Sequence, residues 1–334
     1  MRALASRTAP PRPLLSLLRQ YSAIPVSDAP PPSHAQQPSV ADALATKKFY
    51  VSTPIFYVNG PPHIGHAYTA VLADAIARFR RLDGRRVHFV TGTDEHGAKV
   101  EEAARKAGAV DTRAHCDHVS QQFRDLFTQL GVSYTDFVRT TEARHTEAVT
   151  FIWQRLEQQR QLYLGQHEGW YCRADETFVP ETQLATVQRN GVPVKVVAES
   201  GHAVEWISEP NYKFRLAAHR EFLMRLLARD DFIVPKQRAE DMRHQIGDRD
   251  TLDDLSVSRS SARSAWGIPV PRDASQTVYV WLDALTNYLT AAGYPNPMRA
   301  MRAHAWPADV HVIGKDIARF HTIYWPAFLG ASSR

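Results

Sequence analysis

The hydrophobic pattern in the first part of the chain predicts a strand, a helix and a second strand in succession. Residues 49–53 and 87–90 are short β-rich runs, ended by Pro and by Thr-Gly-Thr. Residues 66–82 between them have apolar positions at helical spacing and end in an Asp-Gly turn. These apolar positions are Val71, Leu72, Ala75, Ile76 and Phe79. A strand–helix–strand succession is typical of a parallel sheet with a crossover helix.

The remaining pattern predicts a second α/β half and an insertion between the halves. Helical spacing recurs, and two more apolar runs have strand character and lead into helices. The helical segments are residues 111–130, 143–162, 212–228, 283–292 and 316–329, and the strand candidates are residues 277–281 and 309–313. Between residues 163 and 211, short apolar runs among Gly and Pro predict small, irregular strands. We therefore expect an α/β fold, a doubly wound parallel sheet with a small inserted domain.

Composition narrows the class of protein. The chain has 334 residues, 44% of them hydrophobic, which is enough for a core and excludes a disordered or fibrous chain. No apolar run approaches the ~18 residues of a membrane-spanning helix. The mean hydropathy is -0.36, so no membrane partner is expected. Two cysteines, Cys116 and Cys172, cannot build a disulfide framework, which favours a reducing compartment.

The first 46 residues differ from the rest of the chain. They contain four Arg, and no acidic residue precedes Asp28. An Arg-rich, Ser-containing and acid-free composition is typical of a mitochondrial transit peptide, with an ordinary disordered N-terminus as the alternative. From Asp28 onward Pro, Ala, Ser and Gln dominate, as in a linker. We expect residues 1–46 to be a transit peptide and linker, and the protein to reside in the mitochondrial matrix.

Candidate chemistry begins where the first strand meets the first helix, at residues 62–66 (Pro-His-Ile-Gly-His). His63 and His66 are three residues apart, so they share one helix face. Free backbone N–H groups at a helix start favour anions, and two imidazole donors suit the charge that develops when a phosphorus atom is attacked. Gly65 lets a ligand approach the backbone closely. The alternatives are a metal-binding pair and two solvated histidines, although no third metal ligand follows at a recognisable spacing.

The motif resembles the His-Ile-Gly-His sequence of the class I aminoacyl-tRNA synthetases. Further blocks narrow this resemblance to the methionyl-tRNA synthetase family of the bacterial and organellar type, over nearly all of residues 49–329. These blocks are residues 53–60, 91–97, 254–259, 266–271, 279–284 and 313–326. The resemblance implies a Rossmann-like catalytic domain interrupted by a connective-peptide insertion. We expect its first half in residues 47–162, the insertion in residues 163–211 and its second half in residues 212–334.

The resemblance also implies a methionine site. Asp94 is at the position where this family holds the substrate ammonium by a charge-assisted hydrogen bond. A helix N-cap is an alternative role for Asp94, and both roles can coexist. The other expected pocket positions are Ile55, Tyr57, Trp281, Ala284, Leu285, Tyr288, Ile317 and His321, with Trp325 aligned nearby. Aromatic walls suit a polarizable sulfur, whereas without the resemblance these residues would be assigned to the core.

Two histidines and four further residues correspond to the ATP site of the family. The expected catalytic residues are His63 and His66, and the expected ATP-binding residues are Asn59, Gly65, Gly314 and Asp316. The implied reaction joins the methionine carboxylate to the α-phosphate of ATP, with Mg²⁺ on the pyrophosphate side. The methionyl group then passes to tRNA(Met). Catalysis would rest on positioning and charge stabilisation rather than on a nucleophilic side chain.

Two features depart from the family pattern. Many members have a zinc knuckle of paired Cys-x-x-Cys in the insertion, but here the insertion holds only Cys172, so we expect no structural zinc. The sequence also stops soon after residues 313–326, before the Lys-Met-Ser-Lys-Ser loop and the helical anticodon-binding domain of the family. We therefore expect weak tRNA binding, and weak or absent formation of the adenylate.

Three other functions remain open at this point. The chain is interpreted first as a mitochondrial methionine–tRNA ligase. A non-catalytic fragment that binds methionine or a nucleotide is the main alternative. Another class I synthetase, for leucine, valine or isoleucine, would have a long editing insertion, whereas the insertion here is short. A small nucleotidyltransferase of the same superfamily would be much shorter.

Overall fold

The computed structural model describes residues 47–174, 177–179, 181–189, 191–247, 252–262, 265–303 and 305–332. All candidate site residues lie in these ranges, whereas the expected transit peptide and linker, residues 1–46, lie outside them. No helix in the described part of the chain is both long and apolar enough to cross a membrane.

Strands and helices alternate along the described chain. The strands are β1 (Lys48–Ser52), β2 (Phe56–Tyr57), β3 (Arg86–Asp94), β4 (Asp136–Arg139), β5 (Leu162–Cys172), β6 (Thr177–Val179), β7 (Leu184–Arg189), β8 (Val192–Val197), β9 (Val204–Phe214), β10 (Leu255–Ser256), β11 (Ser258–Ser260), β12 (Pro269–Val270), β13 (Asp273–Val278) and β14 (Val310–His311). The helices are α1 (Ile64–Leu82), α2 (Ala98–Lys106), α3 (Thr112–Gln129), α4 (Ala143–Gln158), α5 (Arg220–Leu227), α6 (Lys236–Gly247), α7 (Val280–Leu285), α8 (Asn287–Ala291), α9 (Pro297–Ala303) and α10 (Trp325–Ser332).

A five-stranded parallel sheet forms the centre of the fold. Its spatial order is β14–β1–β3, with β2 and β4 also paired to β3. The parallel sheet predicted from the sequence is therefore confirmed. Because every strand runs in the same direction, all the carboxyl ends meet at one edge. The chain runs from β1 to β3 on one side and later returns to β14 on the other side of β1. The crevice outside the carboxyl ends of β1 and β14 is the position where such sheets bind ligands.

Helices cover both faces of this sheet, so the doubly wound arrangement is confirmed. On one face α1 and α3 pack against strand residues such as Val51 and Phe89. On the other face α8 and the neighbouring loops pack against Tyr50, Val90 and Val138. Both faces of the central strands are therefore buried, which explains their continuous apolar runs in the sequence.

Helix α1 is confirmed, but its packing face is not the apolar series seen in the sequence. Small residues face the sheet: Ala67, Ala70, Ala73 and Ala77, together with Asp74. The larger side chains of Val71, Leu72 and Phe79 are 42–59% exposed. Alanine lets the helix backbone approach the sheet closely, so here side-chain volume rather than hydrophobicity selected the buried face.

Antiparallel sheets occupy the region in which small, irregular strands are expected, but β5 and β9 are strands of 11 residues each, so that prediction is wrong for these two. Strands β5 and β9 pair over their whole length, from Leu162 opposite Phe214 to Cys172 opposite Val204. Strand β6 extends this sheet on one side and β10 extends it on the other, while β7 and β8 form a separate pair. The ladder reaches Phe214, so residues 212–214, which the sequence assigns to a helix, are strand. Their backbone continues the ladder with β5, and the following helix α5 begins only at Arg220.

Other predicted elements need correction at their ends. Residues 277–281 were expected to form one buried strand, but β13 ends at Val278 and lies in a separate antiparallel sheet with β11 and β12. Trp281 belongs to α7. The helix expected to reach residue 162 ends at Gln158, where Arg160 has a positive φ of 54° and turns the chain into β5. The helix expected at 111–130 is confirmed as α3, capped by the Asp111 side chain.

The last two predicted helices are each divided. Residues 283–292 contain the end of α7 and then α8, which are separated at Thr286. Residues 316–329 contain a 3-10 turn (Lys315–Ile317), a π-helical turn (Phe320–Tyr324) and the beginning of α10. π-helical turns are frequent at functional sites because the wider turn redirects one side chain.

Gly92→Ala should disrupt the sheet beside the site. A Cβ atom at Gly92 would overlap the carbonyl oxygen of Val138 and lie 2.9 Å from Cγ2 of Ile55. We expect the free energy of unfolding, measured by urea denaturation, to fall by about 3 kcal/mol. Gly60→Ala is the matched control, because a Cβ there meets no atom within 4 Å. Equal stability of the two variants would contradict the described pairing of β3 with β4.

Candidate functional site

A cavity of about 430 Å³ opens at the carboxyl edge of the parallel sheet. It brings together all nine residues expected to bind methionine: Ile55, Tyr57, Asp94, Trp281, Ala284, Leu285, Tyr288, Ile317 and His321. His66, Gly314 and Asp316 from the expected ATP set line it as well. His63, Asn59 and Gly65 are not among the lining residues and lie exposed outside it. Segments far apart in the sequence thus form one concave site.

The beginning of α1 is held by its two histidines. His63 is the N-cap residue, and its Nδ1 accepts a hydrogen bond from the backbone N–H of Gly65 at 3.1 Å. Nδ1 of His66 accepts from the backbone N–H of His63 at 3.2 Å, and the two rings stack with centroids 3.7 Å apart. A ring nitrogen that accepts a hydrogen bond has no proton, so in each neutral ring the hydrogen is on Nε2. Both histidines therefore cap the helix and retain a donor that points away from the backbone.

His66 is the member of this pair that reaches the cavity. Its ring lies between Phe56 and Phe123, with both centroids 5.0 Å away. Burial and the nearby charge of His63 lower the pKa of His66 to about 4. The imidazole is therefore neutral near pH 7 and acts there as a hydrogen-bond donor rather than as a cation.

Asp94 is the last residue of β3 and is only 8% exposed. Its backbone pairs with β2, opposite Tyr57, and its carbonyl oxygen accepts a hydrogen bond from the N–H of Val58. The residue that caps α2 is Gly97, without a side-chain hydrogen bond. The expected alternative role of Asp94 as a helix N-cap is therefore wrong, and its carboxylate lines the cavity.

Helices α7 and α8 form the opposite wall of the cavity. Ala284, Leu285 and Tyr288 are buried, and Trp281 stacks on Phe320 with the ring centroids 3.4 Å apart. Trp325 does not line the cavity and is buried behind Tyr288, at 6.1 Å between ring centroids. This wall is apolar and aromatic, and it suits a flexible, polarizable side chain.

His321 lies on the π-helical turn and closes this wall. Its Nδ1 is 2.9 Å from the carbonyl oxygen of Ile317, which only accepts, so Nδ1 is the protonated nitrogen. Nε2 consequently accepts from the hydroxyl of Tyr288 at 2.7 Å. Burial lowers the pKa of His321 to about 4, so the ring stays neutral. The polar atoms of the Tyr288 and His321 rings are therefore engaged with each other and with the backbone of Ile317. The surface that the two rings present is largely apolar.

Gly314 and Asp316 follow β14 and border the open side of the cavity. Both residues are exposed, and Asp316 is in the 3-10 turn. No group of three or more His, Cys, Asp or Glu side chains is arranged around a metal position in the described ranges. Cys172 is buried in β5, and Cys116 is buried in α3.

Five further residues line the cavity without having been predicted as site residues: Pro54, Phe56, Lys99, Val280 and Asn287. Lys99 and Asn287 are the two with polar side chains. Asn287 is 2% exposed, and its Nδ2 donates to the carbonyl oxygen of Ala284 at 2.6 Å. Its Oδ1 has no hydrogen-bond partner among the described residues. Asn287 is three residues after Ala284, and this helical spacing was the available signal. Lys99 extends from α2 toward the Tyr57 ring, at 6.0 Å from its centroid.

A second cavity of about 640 Å³ adjoins the first and shares Lys99 and Val280 with it. It lies between α2, the β5–β9 sheet and the segment that leads into α7. Its lining includes the cations Lys99, Arg105, Arg173 and Arg259, the aromatic residues Tyr171, Trp266 and Tyr279, and four glutamates. The Arg259 guanidinium lies 4.1 Å from the Tyr279 ring centroid. Cations interleaved with aromatic rings are the groups that bind phosphates and bases of single-stranded nucleic acid.

The buried neutral histidines should make the fold sensitive to acid. Burial lowers the pKa of His321 to about 4 and that of His311, in β14, to about 3. In the unfolded chain both histidines would titrate at about pH 6.5, so on acidification the unfolded state binds these two protons before the folded state does. The two neutral rings therefore make their full contribution to the free energy of unfolding above that pH. This free energy falls as the pH drops, by up to about 3 kcal/mol per pH unit near pH 5.

Urea unfolding of the full chain between pH 7 and pH 5 measures this slope. In His321→Gln the dependence of the unfolding free energy on pH should be smaller by the contribution of about one proton. His118→Gln, on the exposed side of α3, should leave this dependence unchanged. A stability that does not change with pH over this interval would contradict the burial of the two rings.

Comparisons with known proteins place these features in a family. The family model described as tRNA synthetases class I (M) matches residues 49–334. The mitochondrial methionine–tRNA ligase of Xenopus laevis is 50% identical over 292 residues, which are 87% of this chain and 50% of the relative. The human mitochondrial methionine–tRNA ligase is 51% identical over 297 residues, which are 87% of this chain and 49% of the relative. The methionine–tRNA ligase of Rickettsia bellii is 47% identical over 285 residues, which are 85% of this chain and 53% of the relative.

A solved structure agrees with these relatives. The methionyl-tRNA synthetase of Mycobacterium tuberculosis, bound by methionyl-adenylate, superposes with a TM-score of 0.80 at 44% sequence identity. The match covers 86% of this chain and 55% of that one. The chain spans about half the length of the curated relatives it matches. With the matching family model and the parallel sheet, these likenesses establish that the chain belongs to the class I tRNA synthetases, in the methionine (M) group.

Proposed function

We propose that this chain provides the amino-acid-activating site of a mitochondrial methionine–tRNA ligase. The observation that carries the proposal is the single cavity at the carboxyl edge of the sheet. It joins a carboxylate, an apolar aromatic wall and the N-terminal end of α1. The relatives are named methionine–tRNA ligases, and the solved relative holds methionyl-adenylate. An acid to hold an ammonium, rings to hold a thioether and donors to hold phosphate match the three parts of that molecule.

In this proposal, methionine binds between Asp94 and the α7–α8 wall. The buried Asp94 carboxylate accepts charge-assisted hydrogen bonds from the substrate ammonium. The side chain extends along Ile55, Tyr57 and the wall residues toward the Tyr288–His321 pair. This orientation leaves the substrate carboxylate free on the side of the cavity where His66 lies.

ATP then binds along the beginning of α1 and the turn after β14. We propose that Asn59, Gly65, Gly314 and Asp316 contact it, since all four are exposed at this edge. The methionine carboxylate oxygen attacks the α-phosphorus, a new O–P bond forms, and the bond to the β-phosphate oxygen breaks. The Nε2–H groups of His63 and His66 donate to the phosphate oxygens as charge builds up on them. Pyrophosphate leaves with the electron pair of the broken bond.

Mg²⁺ enters this proposal only together with ATP. Mg²⁺ is normally held by substrate phosphates, water and one or two carboxylates, and not by a cage of side chains. The donor set near the cavity fits this mode, because Asp316 is exposed beside it and the described residues contain no three-ligand cluster. When bound, the ion neutralises charge on the leaving pyrophosphate.

The second step transfers the methionyl group to tRNA(Met). A hydroxyl oxygen of the terminal adenosine attacks the carbonyl carbon of the adenylate, a C–O ester bond forms, and the bond from that carbon to the phosphate oxygen breaks. AMP leaves with the electron pair of the broken bond and accepts the hydroxyl proton. We propose that the 640 Å³ cavity admits this end of the tRNA, because it adjoins the methionine cavity at Lys99 and Val280. Its aromatic rings suit an unstacked base, and its four cations, which four glutamates match in number, are available to individual phosphates.

We also propose the division of the chain and its location. Residues 47–162 and 212–334 form the two halves of the catalytic domain, and residues 163–211 form the insertion that borders the second cavity. The antiparallel pair of β5 and β9 supports an insertion at this place, with β9 extending to Phe214, three residues past the expected end of the insertion. Residues 1–46 direct the protein to the mitochondrial matrix, in agreement with the names of the mitochondrial relatives.

Asp94→Ala should weaken methionine binding by about 100-fold or more, because the ammonium would be buried without its counter-charge. Isothermal titration calorimetry with the full chain measures the affinity. Asp125→Ala removes an equal charge from the exposed side of α3 and should leave the affinity unchanged. An unchanged affinity in Asp94→Ala would remove this carboxylate from the proposed site.

His66→Ala should separate binding from chemistry. We expect methionine affinity within about threefold of the parent chain and methionine-dependent ATP–pyrophosphate exchange slower by about 100-fold, since one phosphate donor is lost. His66→Gln should retain part of the exchange, because the Gln amide nitrogen replaces the Nε2–H donor. His118→Ala, an exposed histidine of α3, is the control. Equal loss of binding and exchange would indicate a structural role for His66.

A further inference from the structure

Asp283 is a fully buried carboxylate that joins three distant parts of the chain. Its Oδ2 accepts from Nδ1 of His96 at 2.6 Å, and its Oδ1 accepts from Nε2 of His145 at 2.7 Å. The other ring nitrogen of His145 is 2.9 Å from the hydroxyl of Thr290. Burial alone would raise the pKa of Asp283, but the charge and hydrogen bonds of the two histidines hold it below its ordinary value. We call His96, Asp283 and His145 the His–Asp–His bridge.

The bridge connects the two walls of the methionine cavity. His96 is two residues after Asp94, at the end of β3. Asp283 lies in α7 next to Ala284, in the helix that also carries Trp281. Asp94, Ala284 and Trp281 all line the cavity, whereas Asp283 does not. His96 and Asp283, which are 187 positions apart in the sequence, are therefore joined by one buried hydrogen bond between these walls.

The segment that carries Asp94 is fixed from the other side as well. Glu95 is fully buried and accepts two hydrogen bonds from Arg139 of β4, at 2.7 and 2.9 Å. The N–H of Gly97 donates to the carbonyl oxygen of Trp266 at 2.9 Å. Asp94 therefore has a fixed position relative to the sheet, and the His96–Asp283 contact fixes α7 relative to Asp94. A buried charge with two charge-assisted partners is costly to separate, so this spacing is rigid.

We propose that the His–Asp–His bridge sets the length of amino-acid side chain that the cavity accepts. The inference rests on the proposed function, in which the ammonium is anchored at Asp94 and the side chain ends against α7 and α8. With both walls fixed, a side chain shorter by one methylene leaves a gap, and a longer one meets the wall. None of the bridge residues lines the methionine cavity, although His96 lines the adjoining 640 Å³ cavity. Toward methionine they act as positioning residues for Asp94 and α7.

The test compares three ligands that differ only in side-chain length. Methionine, S-methylcysteine (one methylene shorter) and ethionine (one methylene longer) are titrated into the full chain by calorimetry. One methylene in a fitted pocket is worth about 10- to 200-fold, so we expect methionine to bind at least about tenfold more tightly than either analogue. In His96→Ala this preference should fall to about threefold or less. His96→Asn should restore it to within about threefold of the parent chain, because its amide nitrogen replaces Nδ1.

Controls separate this role from general destabilisation. Arg144→Ala removes the pair of hydrogen bonds to Asp136, at 2.8 and 2.9 Å, next to His145 in α4. It should lower the melting temperature without changing the preference for methionine. If His96→Ala does not fold by circular dichroism, Thr290→Val replaces it. That variant removes the outer hydrogen bond to His145, together with the bond from the same hydroxyl to the carbonyl oxygen of Thr286 at the N-terminal end of α8. It should reduce the preference by about two- to threefold.

The outcomes distinguish the inference from the function on which it rests. A folded His96→Ala chain with the same preference as the parent would overturn the role of the bridge and leave the proposed function intact. A parent chain that binds all three ligands equally would do the same. A parent chain that binds none of them would overturn the proposed function and, with it, the inference. If Arg144→Ala lost the preference for methionine to the same extent, the effect of His96→Ala would reflect general destabilisation. The proposed role of the bridge in selecting side-chain length would then be wrong.

Discussion

The parallel pairing of β1 with β3 on one side and with β14 on the other is the constraint on which the site depends. It places the ends of three strands, separated by more than 200 residues, at one edge. The turn after β1 leads to Ile55 and the N-terminal end of α1, the end of β3 supplies Asp94, and the turn after β14 supplies Asp316. Without this pairing, these groups would be too far apart to contact the same ligand. The backbone ladder is thus the first determinant of the chemistry, and side-chain packing refines it.

Burial then determines how the polar groups of the site act. His66 and His321 have pKa values lowered to about 4, so both rings are neutral and their hydrogen-bonding roles follow from their partners. Asp283, by contrast, remains charged in the core because two histidines donate to it. Two neutral histidines and a paired internal anion thus lie at or beside the walls of one cavity. Each protonation state is a consequence of the fold.

Much of this arrangement could be predicted from the sequence, for identifiable reasons. Helix α3 has a capping Asp111 and a clear apolar period, and β1 and β3 are apolar runs ended by turns. These signals are local, and the structure confirms them. The nine expected methionine-side residues do line one cavity, but that grouping came from the family resemblance and not from periodicity.

The elements that were missed depend on tertiary contacts. The exposed series on α1 looked like a packing face, and only the closeness of helix and sheet selected the alanines instead. The break at Thr286 and the π-helical turn at His321 have no strong local signal. Lys99 lines the cavity because of how α2 packs, which spacing in the sequence does not reveal, whereas the helical spacing of Asn287 after Ala284 was a usable signal.

The central claim is that one cavity holds both methionine and the nucleotide side by side. The most direct measurement is calorimetric titration of the full chain with a non-hydrolysable methionyl-adenylate analogue, compared with methionine alone and ATP alone. If both halves bind in the same cavity, the joined molecule should bind more tightly than either part by a factor of 100 or more, on the order expected when two ligands are linked. An analogue that binds no more tightly than methionine itself would contradict a nucleotide site at the beginning of α1.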